Sequence, residues 1–168
     1  MDLARFLQTV PTFSGLTQPE LEVLERALRV DNFSTGHTFL EEGQKSRNLY
    51  IVMDGEVERF RKRKVGQGLD DLGVLKNGEL FGLHSLVCDQ RQFSTCRAIT
   101  PVTVASLPKT AFYLLYNAHV SISEHFQYIA ARQLSQDLRR LNVGVMTSIC
   151  SGEVAPLYKA ARETGTSS

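Results

Sequence analysis

The residues best placed to do chemistry lie between Phe81 and Ala98, in the run FGLHSLVCDQRQFSTCRA. Phe81 and Gly82 make a tight turn, Leu83, His84 and Ser85 begin a short segment after it, and Arg91, Gln92, Phe93 and Ser94 follow before a β-rich stretch. A glycine turn that feeds a short helix points backbone N–H groups at whatever lies in front of it, the geometry by which proteins cradle anions. The chemistry this predicts is binding rather than bond-making. Catalytic signatures are missing: the sequence holds no GxSxG, no P-loop and no HExxH. Glu41 and Glu42 are adjacent and would face opposite ways on a strand, so they form no acid/base pair and no enzyme is expected.

Two short helices must come first. Leu3, Phe6, Leu7 and Val10 recur at helical spacing until Pro11 stops them, and Thr17 with Glu20 forms a capping box for a second helix whose inward stripe is Leu21, Leu24, Ala27 and Leu28. From Arg29 to Leu107 the pattern changes to short alternating or apolar runs punctuated by glycines, which predicts about eight strands in a closed or double-sheet roll. NLYIVMDGEVERF reads as the clearest hairpin, turning at Asp54-Gly55, and RKRKVGQGLDDL as a looser one through Gly66 and Gly68. After Pro108 the helical period returns, first over Lys109 to about Asn117 and then from Ser121 to about Asn142. Ile122, Phe126, Ile129, Leu134, Leu138, Leu141 and Val145 fall on or near one apolar stripe, suited to covering the roll or zipping to a second copy. The fold class is therefore mainly β with flanking helices, with residues 1–141 as one domain and 142–168 as a short helical extension and tail.

Composition sets outer limits. With 168 residues, 42% of them hydrophobic, the chain supports one good core, and its formal net charge of +1 provides no global field toward nucleic acid or membrane. The three cysteines, Cys88, Cys96 and Cys150, show no paired spacing and read as small buried hydrophobes in a reducing compartment. MDLARFLQTVP is acidic at Asp2 and broken at Pro11, unlike a signal peptide, and no run approaches the roughly 20 apolar residues of a membrane span. A cytoplasmic protein without membrane attachment is the expectation.

In order and spacing these motifs resemble the cyclic nucleotide-binding domain family, which includes catabolite-activator-type regulators and protein kinase A regulatory subunits. FLQTVPTFSGLTQPELEVL is similar to the family's opening helices. FSTGHTFLEEGQKSRNLYIVMDGEV is similar to its roll, with Gly36, Gly43, Tyr50, Ile51 and Gly55 at turn and core positions, and GELFG from Gly78 begins its phosphate-binding cassette. The resemblance implies a jelly-roll fold with a long C-terminal helix, and a cassette reading F-G-E in which the glutamate holds the ribose hydroxyl and a later arginine pairs with the cyclic phosphate. Here Phe81 and Gly82 match, Leu83 stands at the glutamate position and Gln92 at the arginine position. A hydrogen bond to a charged group contributes roughly 1.5–3 kcal/mol, and about 1.4 kcal/mol is tenfold in affinity, so either loss alone weakens binding by at least about an order of magnitude.

The expectation is thus a regulatory sensor with a degenerate cassette, not a tight conventional cyclic-AMP binder, taking a weakly held cyclic nucleotide, a cyclic dinucleotide or a less polar effector. The alternative is a ligand-free interaction module in which Leu83 and apolar neighbours fill the pocket and the long helix makes a homodimer for an unknown protein partner. Arg91, next to the expected arginine, is either solvated or swung into the cassette by a one-residue bulge, and Ser94 and Thr95 are strand residues whose hydroxyls add donors. FGLHS also resembles the F-x-x-H-S of haem-based gas sensors, in which the histidine ligates iron. One histidine of ordinary placement is thin evidence for haem, and His37, His119 and His125 are scattered. Arg59, Arg61, Lys62, Arg63 and Lys64 form the one concentrated basic run, read as a solvated hairpin, and the stretch after Leu141 is too short for a winged helix-turn-helix, so no direct DNA binding is expected.

Overall fold

The computed structural model describes residues 2–62 and 68–150, with side chains described as far as residue 140. It divides into two compact units, residues 1–132 and 133–168. The division falls inside the long helix, earlier than the boundary after Leu141 expected from the sequence.

The first unit opens with α1 (Leu3–Thr9), a single 3-10 turn at Pro11–Phe13, and α2 (Gln18–Ala27). Thr17 caps α2 as its spacing predicts: the Glu20 carboxylate accepts hydrogen bonds from both the backbone N–H and the hydroxyl of Thr17, each at 2.7 Å. The backbone N–H of Thr17, with help from the Ser121 and Thr17 side chains, holds the Glu20 carboxyl below the usual glutamate range.

Eight strands follow: β1 (Arg29–Phe33), β2 (Thr38–Leu40), β3 (Asn48–Asp54), β4 (Val57–Lys62), β5 (Leu69–Leu75), β6 (Leu80–Phe81), β7 (Thr95–Ala98) and β8 (Val102–Pro108). They form two four-stranded sheets, ordered β1-β8-β3-β6 and β2-β7-β4-β5, and every pairing is antiparallel. Strands β3 and β8 of the first sheet contribute to a core on each face, while its edge strand β1 is largely exposed. Leu49, Ile51 and Met53 of β3 pack with the helices, while Val52 and Tyr50 face the second sheet. Strand β8 divides the same way, with Ala105 and Leu107 on the helix side and Val102 and Val104 inside the roll. This explains why these strands read as nearly continuous apolar runs, the signature of a strand covered on two sides.

The segment NLYIVMDGEVERF does not fold as the hairpin expected of it. Strand β3 is flanked by β8 and β6, and β4 by β7 and β5, so the turn carries the chain from one sheet to the other. Gly55 is required there. It has φ +87°, and an added Cβ would stand 2.3 Å from the Pro101 carbonyl oxygen. The Glu56 N–H donates to Thr100 Oγ1 at 2.9 Å and the Ile99 N–H to the Glu56 carbonyl at 3.0 Å, fastening this crossing to the turn before β8. The second expected hairpin does form between β4 and β5, paired from Lys62↔Leu69 to Val57↔Leu75 with a register shift between Arg59 and Phe60, although Arg63, Lys64 and Gly66 near its tip lie outside the described residues.

Helices α3 (Leu83–Cys88), α4 (Lys109–Ala118) and α5 (Val120–Cys150) complete the order. Helix α5 continues past Asn142 to Cys150, beyond its expected end, in a stretch without proline to stop it. Within the first unit, Phe112 of α4 and Phe126 of α5 are fully buried with ring centroids 5.3 Å apart, in the same cluster as Phe6, Leu7, Phe13 and Leu24. Among the described residues no helix is long and apolar enough to cross a membrane.

Replacing Gly55 with alanine forces an L side chain into left-handed backbone and against a carbonyl, so Gly55→Ala is expected to lower unfolding stability by at least about 2 kcal/mol, read from urea denaturation.

Candidate functional site

The cassette begins where β6 leaves the edge of the first sheet. Gly82 caps α3 in the left-handed region at φ +86°, and a Cβ there would lie 2.6 Å from the Asn48 carbonyl oxygen, so only glycine lets the turn close against β3. Leu83, Ser85 and Leu86 are the buried face of α3, while His84 is half-buried with its ring edge-on to Phe93 at 5.9 Å. Cys88 is exposed, contrary to the expectation that all three cysteines are buried: it ends α3 on the side away from that face. Cys96 is buried as expected, and the side chain of Cys150 lies outside the described residues.

Asp89 stops the helix with φ +49°, and its carboxylate pairs with Lys45 at 2.8 Å and Lys109 at 3.7 Å. The hydrogen bond from Lys45 keeps the Asp89 carboxyl below the usual aspartate range. The loop between β2 and β3 is further stapled to the cassette by main-chain bonds. Gln92 N–H donates to the Gln44 carbonyl and Gly43 N–H to the Gln92 carbonyl, both at 2.7 Å, and Ser46 N–H donates to Ser85 Oγ at 3.0 Å. Ser85 in turn donates to the Gln90 carbonyl at 2.5 Å. Arg91 belongs to this clasp: its Nη1 donates to the Gly43 carbonyl at 2.8 Å and the residue is exposed, so the bulge that would swing it into the cassette is not what forms.

Burial alternates from Arg91 to Ala98, and Gln92, Ser94, Cys96 and Ala98 are the covered row. Cys96 and Ala98 of β7 belong to the roll's interior cluster, and Gln92 and Ser94, in the bend that leads into β7, continue the same alternation of burial. Gln92 is only 5% exposed, and its Nε2 has no hydrogen-bond partner. Leu83, by contrast, is 0% exposed and packs in the cluster beneath the helices, so it is part of the wall between sheet and helices rather than a plug in the roll. Arg59 shares the inward face of β4 with Val57, stands opposite Cys96, and donates from Nη2 to the Leu72 carbonyl at 3.2 Å. Arg61 pairs with Asp70 at 3.1 Å, which partly neutralises the basic run.

One feature of the interior has no sequence motif. Phe33, His37, Phe39, Tyr50 and Phe81 form a continuous aromatic wall with centroids 4.2–5.3 Å apart: His37 stacks on Phe33, Tyr50 stacks on Phe81, and Phe39 meets Phe33, Tyr50 and Phe81 edge-on. A register shift between Thr38 and Leu40 breaks the alternation of β2 and lets Phe39 reach Tyr50 and Phe81 although its neighbour Leu40 also faces inward. Phe81 is buried, whereas Phe33, Phe39 and Tyr50 remain partly accessible and His37 is exposed.

The apolar stripe of α5 divides. Ile122, Phe126 and Ile129 are buried in the first unit's own core, so they serve the fold and are not free to form a seam between copies. In the second unit Leu134 and Leu138 are 39% and 52% exposed, and the side chain of Leu141 lies outside the described residues.

A family model for the cyclic nucleotide-binding domain matches residues 30–119, from β1 through the cassette to the end of α4. The chain belongs to the cyclic nucleotide-binding domain family. A cAMP-dependent protein kinase regulatory subunit from Colletotrichum orbiculare is 29% identical over 123 residues, 73% of this chain and 30% of that protein. The chain spans about a third of the length of the curated relatives it matches first. Among solved structures, the regulatory domain of Toxoplasma gondii protein kinase A with cAMP superposes with a TM-score of 0.70 at 20% identity, covering 79% of this chain and 49% of that one. The regulatory subunit of a cAMP-independent protein kinase A from Trypanosoma cruzi, bound to guanosine, superposes with a TM-score of 0.64 at 24% identity, over 75% of this chain and 47% of that one. These likenesses establish the roll and its cassette as a cyclic nucleotide-binding domain in architecture.

Ser85→Ala removes the acceptor for Ser46 N–H and the donor to Gln90 in one step. It is expected to cost about 1–3 kcal/mol in denaturant unfolding and to speed hydrogen exchange at the Ser46 amide, because the loop loses its buried anchor.

Proposed function

We propose that this chain is a regulatory, ligand-sensing module of the cyclic nucleotide-binding family that does not hold cyclic AMP tightly. One observation carries the reading: the two positions that give the family's cassette its charged anchors are Leu83, sealed in the helix-side core, and Gln92, a neutral amide, while the adjacent Arg91 is engaged with the Gly43 carbonyl. A cyclic phosphate placed here would surrender water without gaining an ion pair at the cassette, and burying an unpaired charge is strongly unfavourable. The solved T. cruzi relative with guanosine supports the idea that this fold accommodates an effector without a phosphate.

A contact route exists from the site to the helices. Tyr113 of α4 donates its hydroxyl to the Leu86 carbonyl of α3 at 3.0 Å, and its neighbour Phe112 packs on Phe126 of α5. A ligand that binds one position of α3 better than another would bias α4 and α5 through these contacts, which is signalling as differential affinity between two conformations. Native mass spectrometry of protein purified from its own host is expected to show a dimer without stoichiometric cyclic AMP; a monomer retaining cyclic AMP would contradict the proposal on both counts.

A second, compatible reading is self-association through the far part of α5. Leu134 and Leu138 are exposed, and with Leu141 and Val145 they continue in steps of four, three and four, the heptad spacing of a coiled-coil seam. The double substitution Leu134→Asp with Leu138→Asp should convert the dimer to monomer in analytical ultracentrifugation while leaving the circular dichroism of the roll intact. A dimer that survives both charges places the seam elsewhere.

A further inference from the structure

The unpartnered amide of Gln92 is an anomaly with a direction. Buried side-chain donors nearly always find an acceptor, and leaving one bare costs the desolvation of the group. Gln92 is nine-tenths buried, its main chain is fixed on both sides by Gln44 and Gly43, and it lies on the covered row that leads into β7 with no acceptor in the protein for its Nε2. Its fixed backbone leaves the amide little freedom to seek solvent, so the acceptor must come to it.

The interior supplies the rest of a recognition surface. The aromatic wall packs against the same interior cluster that holds Cys96 and Ala98, with Phe33, Phe39 and Tyr50 partly accessible, and aromatic surfaces of this kind hold flat heterocycles by stacking. Arg59 is on the same inward face but stands opposite Cys96, four residues along the row from Gln92 and so up to about 13 Å away. Its Nη2 is engaged with the Leu72 carbonyl at 3.2 Å. A molecule that suits these surroundings has a flat base for the wall and a neutral oxygen acceptor, such as a sugar hydroxyl, for Gln92.

We propose that Gln92 Nε2 is a direct ligand contact and that the roll takes an uncharged nucleoside in preference to the corresponding cyclic monophosphate. This rests on the reading of the cassette as a ligand site given above, and it names the ligand class that the reading leaves open.

Calorimetric titration tests it, using adenosine and guanosine against cyclic AMP and cyclic GMP, on the full chain and on the variants Gln92→Met and Gln92→Arg with circular dichroism as a check of folding. The wild-type chain should bind at least one nucleoside at least about tenfold more tightly than its cyclic monophosphate. Gln92→Met should weaken that nucleoside by roughly tenfold to a hundredfold and raise the melting temperature of the ligand-free protein, because it removes the bare donor. Gln92→Arg should move the preference toward the cyclic monophosphate. Tighter binding of the cyclic monophosphates to the wild type, or a Gln92→Met chain with unchanged nucleoside affinity, overturns this inference and leaves the sensing role standing. If none of the four compounds binds the wild type, this inference is overturned as well, and the sensing role then stands or falls on titration with a cyclic dinucleotide.

Discussion

The organisation of this protein follows from one constraint: the first sheet has to satisfy two cores at once. Successive residues of β3 and β8 are sent to opposite sides, so Leu49 and Ile51 complete the helical layer while Tyr50 and Val52 complete the roll. A strand used in this way admits a polar side chain only where it is hydrogen-bonded, as Ser106 of β8 is to Arg29 and Asp31, and a shift of one residue in its pairing would exchange the two cores. The cassette inherits that rigidity. Strand β6 pairs with β3 through Tyr50↔Phe81 and Ile51↔Leu80, so Gly82 begins α3 at a position set by a strand that contributes to both cores.

Under the reading proposed above, the two cassette positions that decide ligand chemistry sit in different surroundings. Gln92 is buried and carries an amide with a donor but no charge. Leu83 is packed in the hydrophobic layer beneath the helices. The clasp between the 43–46 loop and the cassette is nevertheless fully formed, with Arg91, Asp89 and Ser85 all used to tie the two segments together.

Much of this was readable from local pattern. The capping box at Thr17 and Glu20 involves residues three apart, and the strands of the roll show as short alternating or apolar runs between glycines, so both were legible, although the two-sided burial of β3 and β8 was not read from them. The crossing at Gly55 was not, because an Asp-Gly pair serves a hairpin and a sheet-to-sheet passage equally well, and only the occupation of distant strand edges decides between them. The stripe on α5 shows the same limit. Periodicity groups Ile122, Phe126 and Ile129 on a face with Leu134 and Leu138 but does not reveal that the first three are covered by the molecule itself. Cys88 read as buried because residue type alone favours that, yet the turn of α3 faces it outward. The aromatic wall draws on five positions from 33 to 81 and left no motif to find, and the bare amide of Gln92 is a property of its surroundings that no sequence pattern records.

The burial of Leu83 bears on the history open to this family member. A position on the rim of a pocket can drift back and forth between acidic and neutral residues as the ligand changes, because solvent or ligand accommodates either. Once the side chain has been taken into the packing beneath the helices, its neighbours adjust to its shape, and an acid at that site would first need the surrounding layer to be rebuilt. Burial thus sets position 83 against a charged residue, whereas a substitution at position 92 would alter a single buried amide without touching that layer.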